Sequence, residues 1–199
     1  TFTFLAVTCS WMVSWVFAPA TEYTKQKSVI IGSKIHSTSS FDVKAKIDLS
    51  IVVPAYKEEE RLPVMLERTL AFMESYSASQ SITYEVIVVD DGSPDDTAGV
   101  AKRYMKKKSG GGRVRLLQLE QNVGKGGAVK RGVAASLGHL VLMADADAAT
   151  EIEDLVLLHD SVKALQAQGE KRVVAIGSRA HLRDSSVQVR AWYRTVLMY

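Results

Sequence analysis

One cysteine, Cys9, stands in 199 residues. That excludes an intramolecular disulfide framework and a cysteine-based zinc site. Charge of one sign is scarce as well: the net charge is +3, and no basic run exceeds Lys106-Lys107-Lys108. Nothing here argues for a nucleic-acid partner, and the lysine triplet suits a solvated helix end, where cations complement the macrodipole. No internal repeat and no Ser/His/Asp arrangement is visible. The chain does not start with Met, and Arg194-Thr195-Val196-Leu197-Met198-Tyr199 reads as the middle of an amphipathic segment. These features predict a piece of a longer protein.

What is present is apolar content, 47% of the residues, enough for one domain with a real core. Residues 1–20 carry no charge and include Phe2, Phe4, Leu5, Val7, Trp11, Met12, Val13, Trp15, Val16 and Phe17. A spanning helix needs about 20 such residues, so the segment predicts an N-terminal membrane helix. Lys25, Lys27 and Lys34 follow it, which favours a cytoplasmic downstream side. The rival is a cleaved signal peptide ending near Ala18-Pro19-Ala20, weakened by the proline and the aromatic content. Residues 21–47 are polar and aperiodic and predict a linker; residues 48–199 predict the folded domain.

In that domain, apolar runs at 49–53, 84–89, 114–119, 139–144 and 173–176 predict strands. Helical spacing separates them. Leu62, Met65, Leu66, Leu70, Met73 and Tyr76 mark a first helix, with Pro63 near its start. A second opens at Ser93-Pro94-Asp95-Asp96, with Ser93 at the N-cap. A third spans about 126–137. A fourth opens on Thr150-Glu151-Ile152-Glu153, a capping-box spacing, and buries Leu155, Val156, Leu158 and Val162. Alternating strands and helices predict a mostly parallel α/β sheet with helices on both faces.

In a parallel sheet the strand carboxyl ends share one edge, where ligands bind. The first run delivers Pro54, Tyr56 and Glu58 there. No glycine occurs in this turn, which opposes a dinucleotide-binding Rossmann site. Pro54 ends the ladder, Tyr56 offers a flat ring, and Glu58 accepts hydrogen bonds from a base or ribose. The second run delivers Asp90 and Asp91, which need hydrogen-bonded partners such as a base imino group or ribose hydroxyls; supporting the next helix is the plainer role for Asp91. The third delivers Gly124-Lys125-Gly126-Gly127, whose glycines admit close approach and whose Lys125 supplies a point charge for a diphosphate. It is not a Walker A loop. The fourth delivers Asp145 and Asp147. Two carboxylates so close repel unless a cation joins them, and Mg2+ or Mn2+ fits best. The fifth delivers Arg179, able to neutralise a phosphate, and His181, which has no assigned role. Together these features describe a nucleoside-diphosphate-sugar site.

Val52-Val53-Pro54-Ala55-Tyr56, Arg61-Leu62-Pro63-Val64-Met65, the run 84–93, Gly124-Lys125-Gly126-Gly127-Ala128, Met143-Ala144-Asp145-Ala146-Asp147 and Gly177-Ser178-Arg179-Ala180-His181-Leu182 resemble the family-2, GT-A-type glycosyltransferases. The resemblance is closer to their dolichyl-phosphate β-glucosyltransferase branch and covers 49–199. It implies a GT-A fold and inverting transfer of glucose from UDP-glucose to dolichyl phosphate. The product, dolichyl β-D-glucosyl phosphate, is a donor for N-glycan assembly. It also implies a divalent metal on Asp145 and Asp147 and an endoplasmic-reticulum membrane location with the domain facing the cytoplasm. The acceptor half of the family lies beyond this chain's end. Two positions depart from the family pattern: Lys57 stands where Asn is usual, and Ala148 where Gly is usual. A GDP-mannose-using dolichyl-phosphate mannosyltransferase, another family-2 enzyme and an inactive nucleotide-binding fragment are the alternatives.

Overall fold

The computed structural model describes residues 3–8, 15–17, 29–31, 47–107, 113–149, 151–170 and 172–178. In chain order its elements are strands β1 (Thr3–Thr8), β2 (Trp15–Phe17), β3 (Val29–Ile31) and β4 (Ile47–Ala55), helix α1 (Leu62–Gln80), β5 (Tyr84–Asp90), α2 (Thr97–Lys106), β6 (Val114–Gln118), α3 (Gly124–Ala135), β7 (Gly138–Met143), a short 3-10 turn (Ile152–Asp154), α4 (Leu155–Ala167) and β8 (Val173–Ser178). The sheet order is β1-β8-β2-β7-β4-β5-β6-β3.

All five strands expected from the apolar runs form, and they run parallel. β4 pairs with β5 and β7, and β5 with β6, directly in parallel. β8 keeps the same direction across β2, which is antiparallel to both β7 and β8. The chain steps outward from β4 through β5 to β6, then returns to place β7 on the other side of β4. That reversal makes the crevice between the ends of β4 and β7 the topological switch point, where open α/β sheets bind ligands.

Strand alternation divides the interior into two cores. Leu49, Ile51, Val53, Val86, Val88, Leu116, Leu140 and Leu142 pack with α1, α2 and α4. Val52, Ile87, Val89, Leu117 and Val141 pack with α3. Helices therefore cover both faces, as expected. The α3 face is drawn close: a Cβ at Gly132 would come within 2.4 Å of Val52 Cγ1. All six apolar positions expected to face inward from α1 are buried.

The α3 face also holds a polar group that apolar patterning does not reveal. Glu85, 2% exposed, accepts Ser50 Oγ–H at 2.6 Å and the Leu137 N–H at 2.7 Å on Oε1, and Arg115 at 2.6 Å on Oε2. Ser50 Oγ in turn accepts the Gly138 N–H at 2.8 Å, and Arg115 also donates to the Ala135 carbonyl at 3.2 Å. One carboxylate thus ties β4, β5 and β6 to the α3–β7 turn.

Several expectations need correction. The membrane helix expected over 1–20 is not seen: Thr3–Thr8 is a strand parallel to β8, and Trp15–Phe17 is a strand between β7 and β8. The Val, Phe and Trp content that suggested a spanning segment also has high β propensity, and strands β7 and β8 offer backbone to pair with. Among the described residues no helix is long and apolar enough to cross a membrane. Within the expected linker, Val29–Ile31 pairs antiparallel with β6. The second helix begins at Thr97, with Asp96 at the N-cap; Ser93 Oγ instead accepts the Lys57 N–H, and Asp95 accepts the Thr97 N–H at the helix start. The capping box expected at 150–153 starts at Thr150, which lies outside the described residues; Glu151 and Glu153 both reach Arg68 on α1. Val156 is 36% exposed rather than buried; Leu155 and Leu158 already fill the inner stripe.

Candidate functional site

Four strand ends supply the site. Pro54 lies inside β4, opposite Val89 of β5. On the other side the ladder closes earlier, at Val52 and Met143, with the Ala144 N–H reaching Val52 O at 3.0 Å. The missing N–H of Pro54 falls just past that point. The proline therefore ends the ladder toward β7 alone and leaves the crevice open.

Beyond it, Tyr56 is 42% exposed and Lys57 adopts φ 58°. The loop is tied to the neighbouring strand end by backbone donors: the Lys57 N–H to Ser93 Oγ at 3.1 Å and the Glu58 N–H to Thr97 Oγ1 at 3.0 Å. Asp95 Oδ1 holds the Thr97 N–H at 3.1 Å. Burial raises the Asp95 pKa, but these Thr97 hydrogen bonds outweigh it and hold the carboxyl below its usual range. Thr97 was not among the expected site residues, and Arg61 was named only within the family resemblance. Arg61 stands in an ion pair with Glu58 at 2.7 Å, a spacing of three residues that could have suggested it. A cleft of about 320 Å3 lies on this side of the rim, lined by Lys57, Glu59, Glu60, Arg61 and Asp95.

The two acids at the end of β5, Asp90 and Asp91, are buried. Asp90 is fully buried; its Oδ1 accepts the Ser93 N–H at 3.1 Å, and its Oδ2 has no partner among the described residues. Asp91, 3% exposed, accepts the Val123 N–H at 2.8 Å. Asp91 therefore anchors the glycine-rich turn and does not support α2. Gly92, at φ 68°, runs against that turn, where a Cβ would sit 2.8 Å from the Asn122 nitrogen. Only glycine permits both the dihedral and the approach.

The glycine-rich segment starts α3 at Gly124. A Cβ at Gly124 or Gly126 would meet nothing within 4 Å, so the space over this helix start is open. The first-turn N–H groups of a helix lack intrahelical partners; the Gly124 N–H is met by Asn122 Oδ1 at 3.0 Å. Lys125 swings from here to Asp145, with Nζ 2.7 Å from Oδ1.

Asp145 and Asp147 follow β7 as expected. Ala146 between them is buried, while Asp145 and Asp147 are both partly exposed. Asp147 Oδ1 accepts the Ala149 N–H at 3.0 Å, a local turn that holds the carboxylate in place. Asp147 is close enough to influence Glu58. Burial raises the Glu58 pKa, the Asp147 charge adds to that, and Arg61 opposes it. The strand ends of β4, β6 and β7 thus meet at one rim. Arg179, the fifth expected contributor, lies outside the described residues.

Both departures from the family pattern fall at backbone positions of positive φ. Lys57 and Ala148 each have φ 58°, a region that costs a residue with a Cβ roughly 1–2 kcal/mol and that Asn and Gly tolerate. Lys57 is exposed, so replacing it removes little packing. Lys57→Asn is expected to raise stability by about 0.5–1 kcal/mol, seen as a higher melting temperature; a lower one refutes the strain. Ala148→Gly gains less, because the Ala148 methyl packs against the core.

The family profile described as Glycosyl transferase family 2 matches residues 50–184. The chain is 47% identical over 169 residues to the dolichyl-phosphate beta-glucosyltransferase of Mus musculus, covering 84% of this chain and 52% of that protein. It is 47% identical over 161 residues to the Drosophila melanogaster protein of the same name, covering 80% and 49%. With that of Saccharomyces cerevisiae it shares 35% identity over 162 residues, covering 77% and 48%. The chain thus spans about half the length of the curated relatives it matches. Among solved structures, it is similar to S. aureus TarS in complex with UDP, at 26% identity and TM-score 0.45 over 58% of this chain and 32% of that one. It is also similar to Mycobacterium tuberculosis glucosyl-3-phosphoglycerate synthase in complex with Mn2+, UDP and phosphoglyceric acid, at 27% identity and TM-score 0.45 over 60% and 40%. The profile match takes in β4 to β8 together with the rim they build, and on it the chain belongs to glycosyl transferase family 2.

Proposed function

We propose that this chain carries the donor-binding half of an enzyme that transfers glucose from UDP-glucose to dolichyl phosphate with inversion, giving dolichyl β-D-glucosyl phosphate. One observation supports it above the others. Lys125 and Asp145 meet at 2.7 Å, while Asp147 influences Glu58 from the same side. A diphosphate-binding cation, a carboxylate pair and a nucleoside-side acid then share one opening. The relatives that match over most of this chain carry the glucosyltransferase name.

Asp145 and Asp147 would hold a divalent cation. Among the described residues no group of three or more His, Cys, Asp or Glu side chains could hold an ion, so these residues offer the two carboxylates and little else. That donor set suits Mg2+ or Mn2+, which bind through one or two carboxylates and complete their shell with water and phosphate oxygens. The Lys125 ammonium beside Asp145 already marks the spot as one that takes a cation. When bound, such an ion neutralises the leaving nucleoside diphosphate.

The side chains divide the remaining work. Tyr56 would lie against the base, and Glu58 and the Asp90–Asp91 turn would line the nucleoside side. Lys125, Gly126 and the α3 start would face the diphosphate. Arg179 would add a second phosphate contact. The bond from sugar C1 to the diphosphate breaks as the acceptor phosphate oxygen bonds C1 from the opposite side. An acceptor phosphate is already ionised at neutral pH, so a strong general base is unnecessary. Positioning and charge stabilisation supply the catalysis. A lipid acceptor places the work at a membrane, and Lys25, Lys27 and Lys34 favour the cytoplasmic face of the endoplasmic reticulum.

Donor competition tests the reading. In Mn2+, UDP is expected to bind at least about tenfold tighter than GDP, a difference of about 1.4 kcal/mol. Labelled glucose from UDP-glucose should also enter the lipid phase when dolichyl phosphate is supplied. Preference for GDP would favour the mannosyl alternative. Tight UDP binding without transfer, in a chain as long as the relatives, would leave only the nucleotide-binding reading.

A further inference from the structure

We infer that Lys125 exchanges partners during donor binding. Without nucleotide its ammonium occupies Asp145 and holds the place of the metal; the incoming diphosphate draws it away and frees that carboxylate. The inference rests on reading Asp145 and Asp147 as the metal pair and deepens it.

The geometry supports an exchange over a permanent pair. Lys125 Nζ lies 2.7 Å from Asp145 Oδ1, yet the side chains are 59% and 35% exposed. An ion pair so open to solvent is weak and easily broken. Lys125 rises from the second residue of α3, next to glycines with empty space above them. A diphosphate over that helix start would bring two negative groups within the reach of the same flexible stem. Asp147 differs from Asp145: its Oδ1 accepts the Ala149 N–H, whereas Asp145 Oδ1 meets the Lys125 ammonium. The two carboxylates are therefore not equivalent. Asp147 is held ready, and Asp145 must be released.

The consequence is a coupling of opposite signs at a single residue. For the metal alone, Lys125 is a competitor, since it neutralises a carboxylate that the ion needs and repels the ion. For the nucleotide, Lys125 is a partner. Lys125 therefore makes metal and diphosphate binding cooperative, and by linkage each ligand gains from the other equally.

Mn2+ titrated alone into the full chain, with free ion read by electron paramagnetic resonance, tests this without any turnover. Lys125→Met keeps the stem and removes the charge. It is expected to bind Mn2+ about three- to fivefold tighter than wild type, the scale of a weak exposed pair. The same variant in saturating Mn2+ is expected to bind UDP about tenfold more weakly, while uridine binding changes little. Lys125→Arg, which keeps the charge, should bind Mn2+ alone as wild type does. Unchanged or weaker Mn2+ binding in folded Lys125→Met, alongside lost Mn2+ binding in Asp147→Ala, overturns the exchange but leaves the metal pair standing. Equal Mn2+ binding in wild type and Asp147→Ala overturns the metal pair and the exchange with it.

Discussion

Asp147→Ala removes metal-dependent UDP binding and leaves the fold in place. The loss should exceed about 100-fold in Mn2+ affinity, because even outer partners of metal ligands contribute 10–100-fold. Among the described residues no group of three or more His, Cys, Asp or Glu side chains could hold an ion, so no third such side chain there compensates. The fold survives for an equally local reason. Asp147 is half-buried, and its Oδ1 accepts the Ala149 N–H. That contact is worth about 1 kcal/mol, or a few degrees in melting temperature for a domain of this size. Asp147→Asn separates the two roles: the amide oxygen can still close the turn, but the charge is gone. Its melting temperature should match wild type while its Mn2+ binding fails. Normal Mn2+-dependent UDP affinity in a folded Asp147→Ala protein would refute the metal assignment.

Arg115→Met should produce the largest loss of stability, about 3–5 kcal/mol. The reason is what stays behind. Glu85 remains inside the α3 face with its Oε2 partner gone, and an unpaired charge in that environment is far costlier than a lost surface pair. The strands around it have no slack, since every residue of β5 is buried. A drop near 10 °C in melting temperature is about the size expected for such a loss. A second substitution distinguishes charge from packing. In Arg115→Met with Glu85→Gln, a neutral amide oxygen can still accept from Ser50 and Leu137, so much of the loss should be recovered. Replacement by leucine would not do this, because it orphans both donors. If Arg115→Met alone lies within about 1 kcal/mol of wild type, the buried pair is not what holds β4, β5 and β6 to the α3–β7 turn.

How far the sequence could be read depended on range. Runs such as 84–89 and 114–119 announced strands because several neighbouring apolar residues repeat one signal. The inner stripe of α1 was legible from Leu62 to Tyr76 for the same reason. Element starts were less legible. Ser93 looked like an N-cap from its neighbours in sequence, but its hydroxyl serves Lys57, 36 residues earlier. Glu153 looked like the acid of a capping box, but it pairs with Arg68, 85 residues earlier. In both cases a long-range partner displaced a local preference of about 1 kcal/mol. The apolar stretch before residue 20 was ambiguous for a different reason: Val, Phe and Trp are equally at home in a bilayer and in a sheet.

The candidate site divides along the same line. That its candidate residues follow strands was readable, because a strand followed by acids, glycines or a tyrosine marks a carboxyl end whatever the neighbours are. Its assembly was not. That β7 lies beside β4, that Lys125 reaches Asp145, and that Lys57 and Ala148 carry positive φ all depend on chain segments brought together across many residues. Local sequence determines the shape and polarity of each piece through nearby dihedral and burial preferences. Which pieces touch is decided only when the whole sheet closes its hydrogen bonds and buries both faces, a choice that no short window of residues contains.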